Sequence, residues 1–167
     1  ITKDSKKFIN ENEGPWYHEM QELGFNYRLT DIQCALGISQ LNRISKFIEK
    51  RREIAEKYDK AFENNQNIEN LKENQNQFNP YHLYVIKVKN KETRLKLFKH
   101  LQQKDIFCQV HYIPVYWHPY YQRLGYKKGI CLKAEKFYER IISLPMYPTL
   151  KKEEQELIIR EISRWIK

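Results

Sequence analysis

The residues of this chain best suited to chemistry fall in two short clusters. Asn26-Tyr27-Arg28 is the first. Asparagine offers two donors and an acceptor, and arginine a planar fork matched to phosphate or carboxylate. A turn held by Asn26, with Arg28 paired to an acid such as Asp31, is the simpler use of the same residues, and N-x-R taken alone favours it. The second cluster is His111-Tyr112-Ile113-Pro114-Val115-Tyr116-Trp117-His118-Pro119-Tyr120-Tyr121. Its histidines stand seven residues apart with no Asp, Glu or Cys at ligand spacing, a poor basis for a metal site. No Ser or Cys accompanies them in a nucleophile arrangement. A proline-stiffened aromatic rim around one histidine suits a sugar ring or a base. The competing use is core or subunit interface, which we expect of Trp117 and Tyr121. Stacking of single-stranded nucleic-acid bases would call for cations among the rings, and residues 111–121 carry no Lys or Arg. His82, at the head of a strand-like run, is one more candidate, although a lone histidine there more often serves structure; His18 and His100 read as surface residues.

These clusters need elements to hold them. Thr30 or Asp31 can cap a helix by accepting a free backbone N–H, and with Thr30 as the cap Gln33 completes a capping box. The helix that follows places Ile32, Ala35, Leu36, Ser39, Gln40 and Arg43 along one side. Gly37 costs about 1 kcal/mol against alanine there, which points to a packing or functional reason. Helical periodicity runs over residues 30–64, with a break near Leu41–Arg43, and Phe47, Ile48, Arg51, Ile54, Ala55, Tyr58, Ala61 and Phe62 form its apolar stripe. Residues 64–80, rich in Asn and Gln, read as loop. Strands are expected over 82–89 and 106–112 and in a short piece at 142–144. Helices are expected over 91–104 (Leu95, Leu97, Phe98 and Leu101 inward), 130–141 and 151–166. The order predicts an α+β domain with a small antiparallel sheet packed with helices and preceded by a long helix. Ahead of it, Gly14-Pro15 marks a turn, and Trp16 and Tyr17 suggest an arm that docks on something outside this sequence.

Composition narrows the function classes. A chain of 167 residues is long enough for one domain with a core of its own, and 41% apolar against 31% charged residues suits much solvated helix. No apolar run approaches the roughly 18 residues of a membrane span, so no membrane partner is expected. Ile1-Thr2-Lys3-Asp4 opens in polar sequence, so no signal peptide is expected, and an opening without methionine fits a piece of a longer protein. Three cysteines, Cys34, Cys108 and Cys131, lie in no metal-ligand spacing and read as reduced thiols of a cytoplasmic protein. The net charge of +9 could draw polyanions, but its lysines are interspersed with glutamates along helices, which reads as a solvated surface. A basic, aromatic module that binds glycan or nucleic acid without catalysis is the alternative from another class.

The run Asn26-Tyr27-Arg28-Leu29-Thr30-Asp31-Ile32-Gln33-Cys34-Ala35-Leu36-Gly37-Ile38-Ser39-Gln40-Leu41, followed in order by His111-Tyr112-Ile113-Pro114-Val115-Tyr116 and Ser143-Leu144-Pro145-Met146, resembles the DegT/DnrJ/EryC1/StrS sugar aminotransferases, and most of all their pseudaminic-acid branch. The resemblance implies a fold type I enzyme that uses pyridoxal phosphate (PLP), an amino-acid donor such as glutamate, a UDP-linked 4-keto-6-deoxy sugar and a homodimer. It implies that Asn26, on a loop reaching the neighbouring subunit, contacts the PLP phosphate. Arg28 goes with it on the cofactor side, while His111, Tyr112, Tyr116 and His82 become nucleotide-sugar contacts. It also implies that the PLP-bearing lysine precedes Ile1, so that this chain by itself should not catalyse. On this reading residues 1–29 are an interdomain, subunit-crossing arm and 30–167 the C-terminal small domain. The Ser143-Leu144-Pro145 turn reads as structural.

Overall fold

The computed structural model describes residues 2–9, 19, 25, 27–71, 73–74 and 76–166. They fall into two compact units, Ile1–Leu41 and Asn42–Lys167. In the first, an antiparallel bridge pairs Thr2 with Glu19, and helix α1 spans Asp31–Leu41. The expected capping box starts α1. The Gln33 N–H donates to Thr30 Oγ1 (3.3 Å) and the Thr30 N–H to Gln33 Oε1 (2.9 Å), so each side chain uses a backbone donor that the first turn leaves free.

The second unit begins at the expected break, with Asn42 and Arg43 in a turn before α2, Ile44–Phe62. Its remaining elements are β1 (Ile68–Asn70), β2 (Tyr84–Val88), α3 (Lys91–Gln103), α4 (Pro119–Arg123), α5 (Leu132–Arg140), β3 (Ile141–Leu144) and α6 (Lys152–Trp165). The strands form one antiparallel sheet in the order β1-β2-β3, with Ile68 opposite Val88 and Ile86 opposite Ile142. Alternation along the strands sends Tyr84, Ile86, Val88, Ile142 and Leu144 into the core. There they meet Tyr58 and Phe62 of α2, Leu97 and Leu101 of α3, and Ile158 and Ile162 of α6. The helices thus cover one face of the sheet because their i, i+4 stripes and the strand's alternate residues both present apolar side chains to it.

Several expectations change. The 64–80 stretch contains β1, since pairing with β2 recruits Ile68, Glu69 and Asn70 in spite of their polar surroundings. The strand expected from His82 starts at Tyr84. Residues 106–112 contribute a single bridge, Gln109 to Ser143, and continuing that register would set Phe107 opposite Pro145, which has no N–H to give. Leu95 is exposed: it lies two residues before Leu97, on the far side of α3 from the Leu97–Leu101 stripe, and Ala61 of α2 is exposed as well.

Candidate functional site

The site is built on the sheet face opposite the core. Ile142 and Leu144 point into the core, so Ser143 points the other way, buried at 3% exposure. The Gln109–Ser143 bridge, with N–H to carbonyl distances of 3.1 and 2.8 Å, holds the incoming chain against β3. Two residues later comes His111. Its Nδ1 lies 2.9 Å from Ser143 Oγ, and its ring and that of Tyr112 meet edge to face with centres 4.6 Å apart. His111 is half-buried, whereas Tyr112 is 68% exposed. An imidazole held from behind beside a bare aromatic ring can offer one hydrogen bond and one flat apolar face, the pair of contacts a sugar or nucleotide uses.

Tyr116 is differently occupied. Its hydroxyl donates to Glu135 Oε1 at 2.9 Å and lies 3.2 Å from the Cys131 carbonyl. The same Oε1 accepts from Trp117 Nε1 (3.3 Å) and from the Gly129 N–H (2.6 Å), while Lys128 Nζ sits 4.4 Å from the centre of the Trp117 ring. Burial alone would raise the Glu135 carboxyl, but the Gly129, Tyr116 and Trp117 donors and the Lys128 charge outweigh it and hold the group below the usual carboxylate range. Burial, then the bond to Glu135, pushes the Tyr116 phenol up. Glu135 is therefore the clasp of the rim between residues 115 and 130. Trp117 packs edge-on against Tyr138 at 5.5 Å, and Tyr121 meets Tyr120 and Tyr126, so both are half-buried parts of the framework.

His82 stands apart from that rim. It is exposed, and its carbonyl accepts from Arg51 Nη1 at 3.1 Å. The same nitrogen reaches the carbonyls of Tyr81 (3.1 Å) and Met146 (2.9 Å), and Tyr58 donates its hydroxyl to the Pro145 carbonyl at 3.1 Å. Of the Ser143-Leu144-Pro145-Met146 run, expected as a turn, Ser143 and Leu144 close strand β3, and Pro145 and Met146 after it are tied to α2.

In the first unit, Arg28 lies in an exposed segment just before α1 and makes no ion pair with Asp31. Beside it Phe25 and Tyr27 meet edge to face at 5.7 Å. Asn26, Trp16, Tyr17 and His18 lie outside the described residues. Of the two positions expected at the cofactor, Arg28 has no ion-pair partner among the described residues, and a guanidinium of that kind suits a phosphate. Ile32, Leu36, Ile38 and Leu41 of α1 are all exposed, and a Cβ added at Gly37 would meet nothing within 4 Å.

Two residues that hold the candidate rim carry no mark in the sequence. Ser143 sits in a turn-like S-L-P string, and only the parity of β3 tells that its side chain leaves the core. Glu135 is one of many helical glutamates, and nothing in its neighbours marks it as the acceptor for residues 116, 117 and 129.

The fold is shared with part of known aminotransferases. It superposes on Helicobacter pylori PseC, an aminotransferase of pseudaminic acid biosynthesis, with a TM-score of 0.79 and 32% identity over 93% of this chain and 42% of that one. It superposes on the PLP form of Spr1654 from Streptococcus pneumoniae with a TM-score of 0.81 and 28% identity, over 90% of this chain and 39% of that one. The sequence matches the DegT/DnrJ/EryC1/StrS aminotransferase family over residues 5–163, and the chain belongs to that family. A relative from Campylobacter jejuni, the UDP-4-amino-4,6-dideoxy-N-acetyl-beta-L-altrosamine transaminase, is 36% identical over 86% of this chain and 38% of its own length. The chain spans about two fifths of the curated relatives it matches, 41% of one and 38% of another. No helix among the described residues is long and apolar enough to cross a membrane.

Proposed function

We propose that the protein carrying this chain is a cytoplasmic, homodimeric aminotransferase that uses PLP to move an amino group from glutamate to the 4-keto carbon of a UDP-linked 6-deoxy sugar for surface glycan synthesis. The observation that carries this reading is the His111–Tyr112 pair, anchored on Ser143 within a family whose relatives include a nucleotide-sugar transaminase. The cofactor, when bound, supplies the electron sink for the transfer. This chain's residues do the rest of the binding. His111 gives a hydrogen bond to an oxygen of the nucleotide sugar, and Tyr112 lays its exposed ring against the sugar or base. Tyr116, its hydroxyl engaged by Glu135, offers its ring and stiffens the rim, and His82 is an outer contact. Arg28 and Asn26 face the phosphate of the cofactor. Residues 1–29 form the arm that crosses to the second subunit, 30–167 the small domain, and the Schiff-base lysine belongs to sequence upstream of Ile1. Such a division leaves this chain alone without turnover.

Replacing His111 or Tyr112 by Ala in the full-length protein should raise the KM for the nucleotide sugar and leave PLP retention unchanged. Loss of PLP with normal nucleotide-sugar binding would refute the assignment. For Asn26, mixing Asn26→Ala subunits with subunits lacking the upstream lysine should restore activity from two feeble parents, because one site of each mixed dimer is then intact. Action within one subunit predicts no recovery.

A further inference from the structure

We propose that Ser143 is the positioning residue of His111: its hydroxyl donates to Nδ1, and the neutral ring is thereby held with its proton on Nε2, the donor offered to the sugar nucleotide. The proposal rests on the function just described and adds the device that makes His111 a donor. Ser143 grips the incoming strand twice, through both backbone bonds to Gln109 and through its side chain to His111. The side chain is buried, on the face of β3 away from the core, and His111 is its hydrogen-bond partner among the described residues.

Counting hydrogens decides the direction of that bond. A neutral imidazole carries one N–H, and a hydroxyl has one hydrogen to place. Were Nδ1–H to donate to Oγ, the serine hydrogen would be shut in without an acceptor, a cost that burial makes severe. With Oγ–H donating to Nδ1, both groups are satisfied and the ring proton falls to Nε2, since the bond at one ring nitrogen sets the state of the other. Nε2 makes no hydrogen bond to the described residues. The diphosphate and keto oxygens of a UDP-linked keto sugar are acceptors only, which an Nε2 lone pair would repel and an Nε2–H attracts. The Tyr112 ring packs beside the imidazole edge to face, with centres 4.6 Å apart.

The test uses the full-length protein with nitrogen-15-labelled histidine, the His111 signals being assigned by their loss in His111→Asn. At about pH 8, where an ordinary imidazole is neutral, wild type should show His111 as the Nε2–H tautomer, and Ser143→Ala should convert it to a mixture. With a UDP-linked 4-keto-6-deoxy sugar as substrate, Ser143→Ala should raise its KM about five-fold, the loss of one neutral hydrogen bond, with kcat and the KM for glutamate little changed. On a His111→Ala background, Ser143→Ala should have no further effect. An unchanged tautomer in Ser143→Ala, or a full extra KM increase on the His111→Ala background, overturns the proposal. If His111→Ala leaves nucleotide-sugar use intact while the tautomer still depends on Ser143, the proposed function fails and takes the ligand role with it, while the hold of Ser143 on the ring stands.

Discussion

Arg51 clamps the two loops that flank the β2–β3 pair, and its removal has a cost that can be worked from the structure. Its Nη1 lies within 3.1, 3.1 and 2.9 Å of the carbonyls of Tyr81, His82 and Met146. A terminal guanidinium nitrogen carries two hydrogens, so three acceptors share two donors, and two charge-assisted bonds should be counted rather than three. At about 1.5 kcal/mol each, Arg51→Met should cost about 3 kcal/mol, while the methionine retains most of the packing of the arginine stem. The loss should concentrate where the carbonyls are, before β2 and after β3. Native-state hydrogen exchange reads this directly: protection of the Tyr84–Val88 and Ile141–Leu144 amides should fall by about a hundred-fold, the factor corresponding to 3 kcal/mol. Arg51→Lys should recover about half of that, because an ammonium cannot span the same carbonyls. A fall of less than about five-fold in Arg51→Met, equivalent to under about 1 kcal/mol, would show that the clamp is incidental to the sheet.

Two further outcomes follow from the perturbed groups. The Glu135 carboxyl is depressed in the folded chain, so its contribution is present above the ordinary carboxylate pKa and is lost as pH falls through the lower folded value. Acidification from about pH 6 to about pH 3 should therefore release Trp117, read as its emission in a Trp16→Phe, Trp165→Phe background; Glu135→Gln should remove that transition, and its persistence there would assign it to another group. Burial pushes the Cys108 thiol up to about 12, whereas Cys34 and Cys131 are exposed. A thiol reagent at neutral pH should modify Cys34 and Cys131 quickly and Cys108 only after denaturant is added, and rapid labelling of Cys108 in the native protein would contradict its buried placement.

Local rules made much of this molecule legible in one dimension. The Thr30–Gln33 capping box, the break at Asn42-Arg43 and the helices α2, α3 and α6 all show in the spacing of side chains, because caps and 3.6-residue stripes act within a turn or two of the chain. The rim residues 111–121 were visible too, as an improbable density of rings and prolines. Which partners those side chains take is decided at longer range. Tertiary pairing decided that Ile68–Asn70 is a strand, for three residues among asparagines have no extended preference until β2 supplies their partners. It reduced 106–112 to one bridge, turned the Tyr116 hydroxyl to Glu135 instead of outward, and set Ser143 behind His111 from 32 positions further along the sequence. A buried hydroxyl takes whichever partner the packed sheet brings to it, and that partner is chosen in space, by the register of β3 against Gln109, where sequence spacing carries no signal.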